Sequence, residues 1–156
     1  MRAKATPEGY HSLNPVLQVA DVAAALAFYK TAFGAVEQFR REMHGKLLIA
    51  VIKTGDSHLM LAAQEVAPEK PAGGDPRSNG ILLKIYVDAV DAVFRRAIEA
   101  GARQEEEVAD QFFGERSGEV VDPFGFTWRL AALLEEVPHA EVERRMHERA
   151  AANRSH

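Results

Sequence analysis

The sequence predicts an α+β fold: two tandem βαβββ units forming a curved mixed sheet around a cup, plus a C-terminal helix. Three observations predict it. Runs of strand and helix character follow in the order strand, helix, three strands, and that order occurs twice. Residues 64–79, with three prolines and a Gly73-Gly74 pair, separate the two occurrences. Finally, HGKLLIAVIKTGDSHLMLAA (44–63) lies over FGERSGEVVDPFGFTWRLAA (113–132) without a gap at an offset of 69. Gly45 then pairs with Gly114, Val51 with Val120, and Leu61-Ala62-Ala63 with Leu130-Ala131-Ala132. Chance matching of apolar residues does not reproduce both the element order and the turn glycines.

The elements of the first unit, about 10–63, follow from local chemistry. Ser12 to Val19 alternates and is β-prone. Asp21 stands where an N-cap would, ahead of a helix over Val22 to Phe33 with Val22, Leu26, Tyr29 and Phe33 at helical spacing, and Gly34 is its stop. Strands are expected over Val36 to Met43, Leu47 to Lys53 and Ser57 to Ala63, with turns at His44-Gly45 and Thr54-Gly55-Asp56. In the second unit, about 80–134, a strand runs over Ile81 to Val87. A helix follows over Ala89 to Ala100, with Gly101 as its stop. Strands over Gln104 to Ala109, Arg116 to Val121 and Thr127 to Leu133 complete the unit. The linker is 64–79, and Pro138 begins an amphipathic helix over 138–152. Each unit has one sheet face covered by its helix. The other face is incomplete alone, so two such faces enclose a cup.

Composition narrows the function. The chain has 156 residues, which suits one domain, and 47% of them are hydrophobic. With no cysteine, disulfides, thiolate metal sites and cysteine nucleophiles are excluded. That composition fits a reducing cytoplasm. No run approaches the ~20 apolar residues of a membrane span. A net charge of −4 without a basic stripe argues against nucleic acid. The expected partners are a small-molecule ligand and a second copy of the chain.

The layout resembles the vicinal-oxygen-chelate superfamily of glyoxalases, bleomycin- and fosfomycin-resistance proteins and extradiol dioxygenases, over roughly Tyr10 to Leu134. The stretches that carry the resemblance are PEGYH (7–11), DVAAALAFYKTAFGA (21–35), VDAVDAVFRRAIEAGA (87–102) and DQFFGERSGEVVDPFGFTWRL (110–130). DQFFGER followed by DPFG is similar to the PhnB-like branch in particular. Chelating members hold a divalent metal with His, Glu or Gln at four strand positions, two per unit. The resemblance puts these at Asn14 and Met60, and the repeat offsets of 68 and 69 carry them to Leu82 and Arg129. That set does not make a divalent site. Leu has no donor, Arg is cationic without an acceptor, Met is a soft ligand, and Asn alone is weak. The neighbouring Pro15, Leu59, Ile81 and Trp128 are no better. The six histidines show no HxH, HxxxH or HExxH spacing, and Phe126 follows DPFG where the branch commonly has His. No cofactor is expected.

Period-two alternation assigns the cup lining instead. It places Asn14, Val16 and Gln18 on the first strand, His58 and Met60 on the fourth, Leu82, Lys84 and Tyr86 on the fifth, and Thr127 and Arg129 on the last. The ligand-binding candidates are therefore Asn14, His58, Met60, Leu82, Lys84, Tyr86 and Arg129. Lys84 and Arg129 would suit an anionic or carbonyl-bearing ligand, or else sit at the rim and meet solvent or an acid. Phe112 and Phe113 are expected beside the cup, gating it or packing. Glu115 and Arg116 are expected to form an ion pair, and Asp122 to bond the amides of its own turn. A non-enzymatic protein that sequesters an anionic or aromatic compound is the first reading. A metal-dependent lyase or isomerase with other ligands is the second, and metal-free acid–base chemistry by His58 and Tyr86 the third. The superfamily resemblance implies a homodimer.

Overall fold

A computed structural model describes residues 4–66 and 80–155. The first unit comprises β1 (Val16–Val19), α1 (Val22–Phe33), β2 (Val36–Met43), β3 (Lys46–Thr54) and β4 (Ser57–Ala63). The second comprises β5 (Leu83–Tyr86), α2 (Val90–Glu99), β6 (Arg103–Asp110), β7 (Glu115–Val121) and β8 (Thr127–Leu133), and α3 (His139–Arg154) follows. Each unit builds its own four-stranded sheet, in the orders β1-β4-β3-β2 and β5-β8-β7-β6. β1 runs parallel to β4 and β5 to β8, and the remaining pairs are antiparallel. Even the irregularities repeat: the ladder slips between Glu37 and Phe39 on β2, and between Gln104 and Glu106 on β6.

Local chemistry sets the boundaries. The Asp21 carboxylate accepts from the Ala24 amide at 3.0 Å, which caps α1. Gly34 ends that helix at φ 66°, where a side chain would be strained. The expected linker begins with a short 3-10 turn over Gln64–Val66, and the rest of it lies outside the described residues. β1 is shorter than expected because Pro15 lacks an amide to donate. Its carbonyl accepts from Met60 N at 3.0 Å, and pairing starts there. β5 is also shorter, so Leu82 precedes the strand.

One core serves both units. Val19, Ile52 and Leu61 of the first sheet, and Val120 and Leu130 of the second, are fully buried in it. Each such side chain contributes roughly 1.5–3 kcal/mol. Between them α1 packs on α2, and Tyr29 and Phe33 of α1 meet Trp128 of β8 at ring separations of 5.6 and 4.8 Å. Beside that contact Asp122, on the β7–β8 turn, accepts from Tyr29 Oη at 2.5 Å and Trp128 Nε1 at 2.9 Å. It also accepts from the Phe124 and Phe126 amides, both at 2.9 Å. The turn role expected of Asp122 is present, and its bonds to Tyr29 and Trp128 add a tie across the units. Burial pushes its carboxyl above the usual range against the pull of these donors. Burial and the Asp122 charge push the Tyr29 phenol up as well.

α3 buries no residue of its own. Arg145 holds it down, donating to Phe112 O at 2.7 Å, while Arg149 lies 5.0 Å over the Phe112 ring. Phe112 thus packs under α3, with Phe113 edge-on against it. Among the described residues no helix is long and apolar enough to cross a membrane.

Candidate functional site

The second sheet carries a row of charge on the face away from the core. Register sets Lys84 of β5 beside Arg129 of β8, and Arg129 opposite Glu119 of β7. Period-two alternation returns Glu115 to the same face. The Arg129 guanidinium donates to Glu119 Oε1 at 2.9 Å from Nε and 2.5 Å from Nη2. Lys84 Nζ donates to both oxygens of Glu115, at 2.5 and 2.9 Å, and lies 4.9 Å over the Tyr86 ring. Both carboxylates are buried, Glu115 at 5% exposure and Glu119 at 8%. Burial alone would raise the Glu115 carboxyl, but hydrogen bonds from Lys84 and Tyr86 outweigh it and hold it below its usual value. Burial likewise works against the Lys84 ammonium, and the Glu115 carboxylate more than compensates, so its pKa is raised.

The expected pair between Glu115 and Arg116 does not form. Adjacent strand residues point to opposite faces. Arg116 instead joins Asp91 of α2 at 2.7 Å and Asp110 of β6 at 2.8 Å on the helix side. Glu115 and Glu119 were the site residues missed in the sequence. Their spacing of four along β7 was the available signal, since it puts both on the Arg129 face once β7 and β8 are paired.

On the first sheet His58 and Met60 share the outward face of β4. His58 is buried at 8% exposure, and the Tyr10 ring lies on it with centroids 3.9 Å apart and planes 15° from parallel. The His58 Nδ1 atom has no hydrogen-bond partner. A cavity of about 320 Å³ is walled by His58, Lys84 and Tyr86, with Pro15, Ile85 and Trp128. The structure therefore brings three of the seven expected ligand residues to one cavity. Asn14, Met60, Leu82 and Arg129 are not in its wall. Asn14 lies before β1, exposed, with its amide donating to His11 O at 2.6 Å. Leu82 borders a separate hollow with Glu105, Glu119 and Thr127.

The donor chemistry at the four positions implied by the superfamily does not suit a divalent ion. Arg129 is committed to Glu119, the Asn14 amide to a backbone carbonyl, and Leu82 and Met60 supply no hard donor. Among the described residues no three His, Asp or Glu side chains come together as a metal cage.

Comparison with known proteins agrees with this architecture. The sequence model of the glyoxalase/bleomycin resistance protein/dioxygenase superfamily matches residues 11–130. The chain belongs to this superfamily. An uncharacterized protein of Mycobacterium bovis is 37% identical over 141 residues, covering 86% of this chain and 91% of that one. An uncharacterized protein of Mycobacterium tuberculosis shows the same identity, over 86% of this chain and 82% of its own length. Among solved structures, a family enzyme from Burkholderia phytofirmans PsJN superposes with a TM-score of 0.64 at 22% identity, covering 78% of this chain and 97% of that one. TioX from Micromonospora sp. ML1 gives 0.62 at 21% identity, with 82% and 100% covered. At these identities the likeness is one of fold.

Proposed function

We propose that this superfamily member binds a small, planar, uncharged or weakly charged organic compound in the cavity between His58 and Tyr86, without transforming it. The carrying observation is the pairing of both cup cations with buried carboxylates. Lys84 and Arg129 suggested an anionic ligand, but each already spends its charge on a glutamate. An anion would have to compete with Glu115 and Glu119, whereas an aromatic compound needs only faces to lie against. Tyr86 supplies one such face, being 63% exposed. The mixed apolar and polar wall is ordinary for a small-molecule cavity.

We propose further that the protein is of the PhnB-like branch, on DQFFGER and DPFG, and that it works in the cytoplasm as a homodimer. The expected result of a thermal-shift screen is stabilisation by planar ring compounds rather than by phosphate or simple carboxylates. Tyr86→Ala should weaken a hit at least ~10-fold while leaving the fold intact. Elemental analysis tests the competing metal-dependent reading. A stoichiometric divalent metal whose chelation abolishes turnover would replace the proposal.

A further inference from the structure

Two further hollows adjoin where β5 begins, and neither is walled by His58, Lys84 or Tyr86. The first, of about 110 Å³, is lined by residues of β1 and β5 and of the β7–β8 turn. Leu17, Leu83 and Phe126 make its wall apolar, with exposed Val16 and Ile81 beside them, and Thr127 is the one polar side chain among its lining residues. The second, of about 260 Å³, is walled by Leu82, Glu105 and Glu119, and its lining residues include two carboxylates and no cation. Ile81 and Thr127 belong to both walls, so the hollows are neighbours.

Each carboxylate keeps one oxygen outside its ion pair. Arg129 places both of its bonds on Glu119 Oε1, and Arg103 donates to Glu105 Oε2 at 3.0 Å. The pair with Arg103 is exposed and worth little. An independent sign of a ligand comes from Thr127. It shares the outward face of β8 with Arg129, is 9% exposed, and its Oγ1 atom has no hydrogen-bond partner. A buried hydroxyl left unpaired costs free energy that a bound polar group returns.

We infer that the adjoining hollows form a binding site of their own, for a primary amine on a short alkyl group. The alkyl group fills the apolar hollow, which at about 110 Å³ admits a chain of about four carbons. The ammonium lies among Glu119, Glu105 and Thr127, whose oxygens match its three donors. The two glutamates repel a carboxylate ligand, and a neutral alcohol forgoes the charge-assisted bonds. The site does not rest on the function proposed above. The His58 cavity shares Leu83 with the apolar hollow and no polar residue with either.

Titration of the full chain with n-butylamine at pH 7 and low salt, followed through backbone amide shifts, tests the site. Saturable shifts should appear at residues 81–82, 105, 119 and 127, and not at His58 or Tyr86. Methylamine lacks the tail and n-butanol lacks the charge, so each should bind at least ~10-fold more weakly. Butyrate should not bind. Glu105→Gln alters an exposed rim residue, and Thr127→Val keeps the side-chain shape without the hydroxyl. Each should weaken n-butylamine about 3- to 10-fold, with circular dichroism and the urea midpoint reporting an intact fold. The inference is overturned if n-butylamine shifts nothing at tens of millimolar, if n-butanol or butyrate matches it, or if both variants bind like the unaltered chain. Shifts confined to His58 and Tyr86 would also overturn it while leaving the planar-ligand reading standing. A failed thermal-shift screen would remove that reading and leave these shifts as they are.

Discussion

Asp122 shows how much one residue carries. It accepts four hydrogen bonds, two from its own turn and two from core rings. Tyr29→Phe removes the donor reaching it from the other unit and leaves the carboxylate buried. The expected cost is about 1–3 kcal/mol, read as a lower urea midpoint at unchanged slope. Glu115 sets a pH dependence of known sign. Its carboxyl is held below its unfolded value, so its stabilisation is present above roughly pH 4.5 and lost as pH falls through the depressed folded pKa. Glu115→Gln should flatten that acid limb in unfolding experiments run from pH 6 down to 3. Asp122 works in the opposite sense: its raised folded pKa favours the protonated form, so its contribution declines as pH climbs past that value.

At the level of elements, most of the fold was legible in the chain. α1 begins and ends at the expected residues because an acidic cap and a glycine bracket it, and both act through the backbone nearby. The helix stop is also testable: Gly34→Ala forces a side chain to φ 66° and should cost about 1–2 kcal/mol. β1 and β5 came out shorter because strand length depends on what pairs alongside, which alternation does not report. The same limit governed the site. Alternation put His58, Lys84 and Tyr86 on useful faces, but Asn14 and Leu82 fall outside the strands that would have aimed them. The partners of Lys84 and Arg129 come from β7, and only the β7–β8 register reveals them. For α3, attachment through Arg145 and Arg149 predicts independent behaviour. Arg145→Ala should speed amide exchange across 139–154 while shifting global stability by less than about 1 kcal/mol.

Across the whole molecule, the two βαβββ units present unlike outward faces. The outward face of the second sheet is a paired ionic array, whereas the first presents His58, Met60 and an aromatic cover at the equivalent place. Exposed Val16, Phe39, Tyr86 and Leu133 leave apolar surface on both sheets. The homodimer proposed above should appear as a doubled mass in light scattering at micromolar concentration, and a monomer there would remove it.

The bond from Tyr29 to Asp122 has a consequence for the chain as a duplicated object. At the matching offset of 69 the first unit has Lys53, so the tie has no mirror image. The turn of the second unit finishes the core of the first, and Lys53 at the matching place does not return the bond. A backbone break between Val66 and Gly80 should therefore give two fragments that stay unfolded apart and fold on mixing.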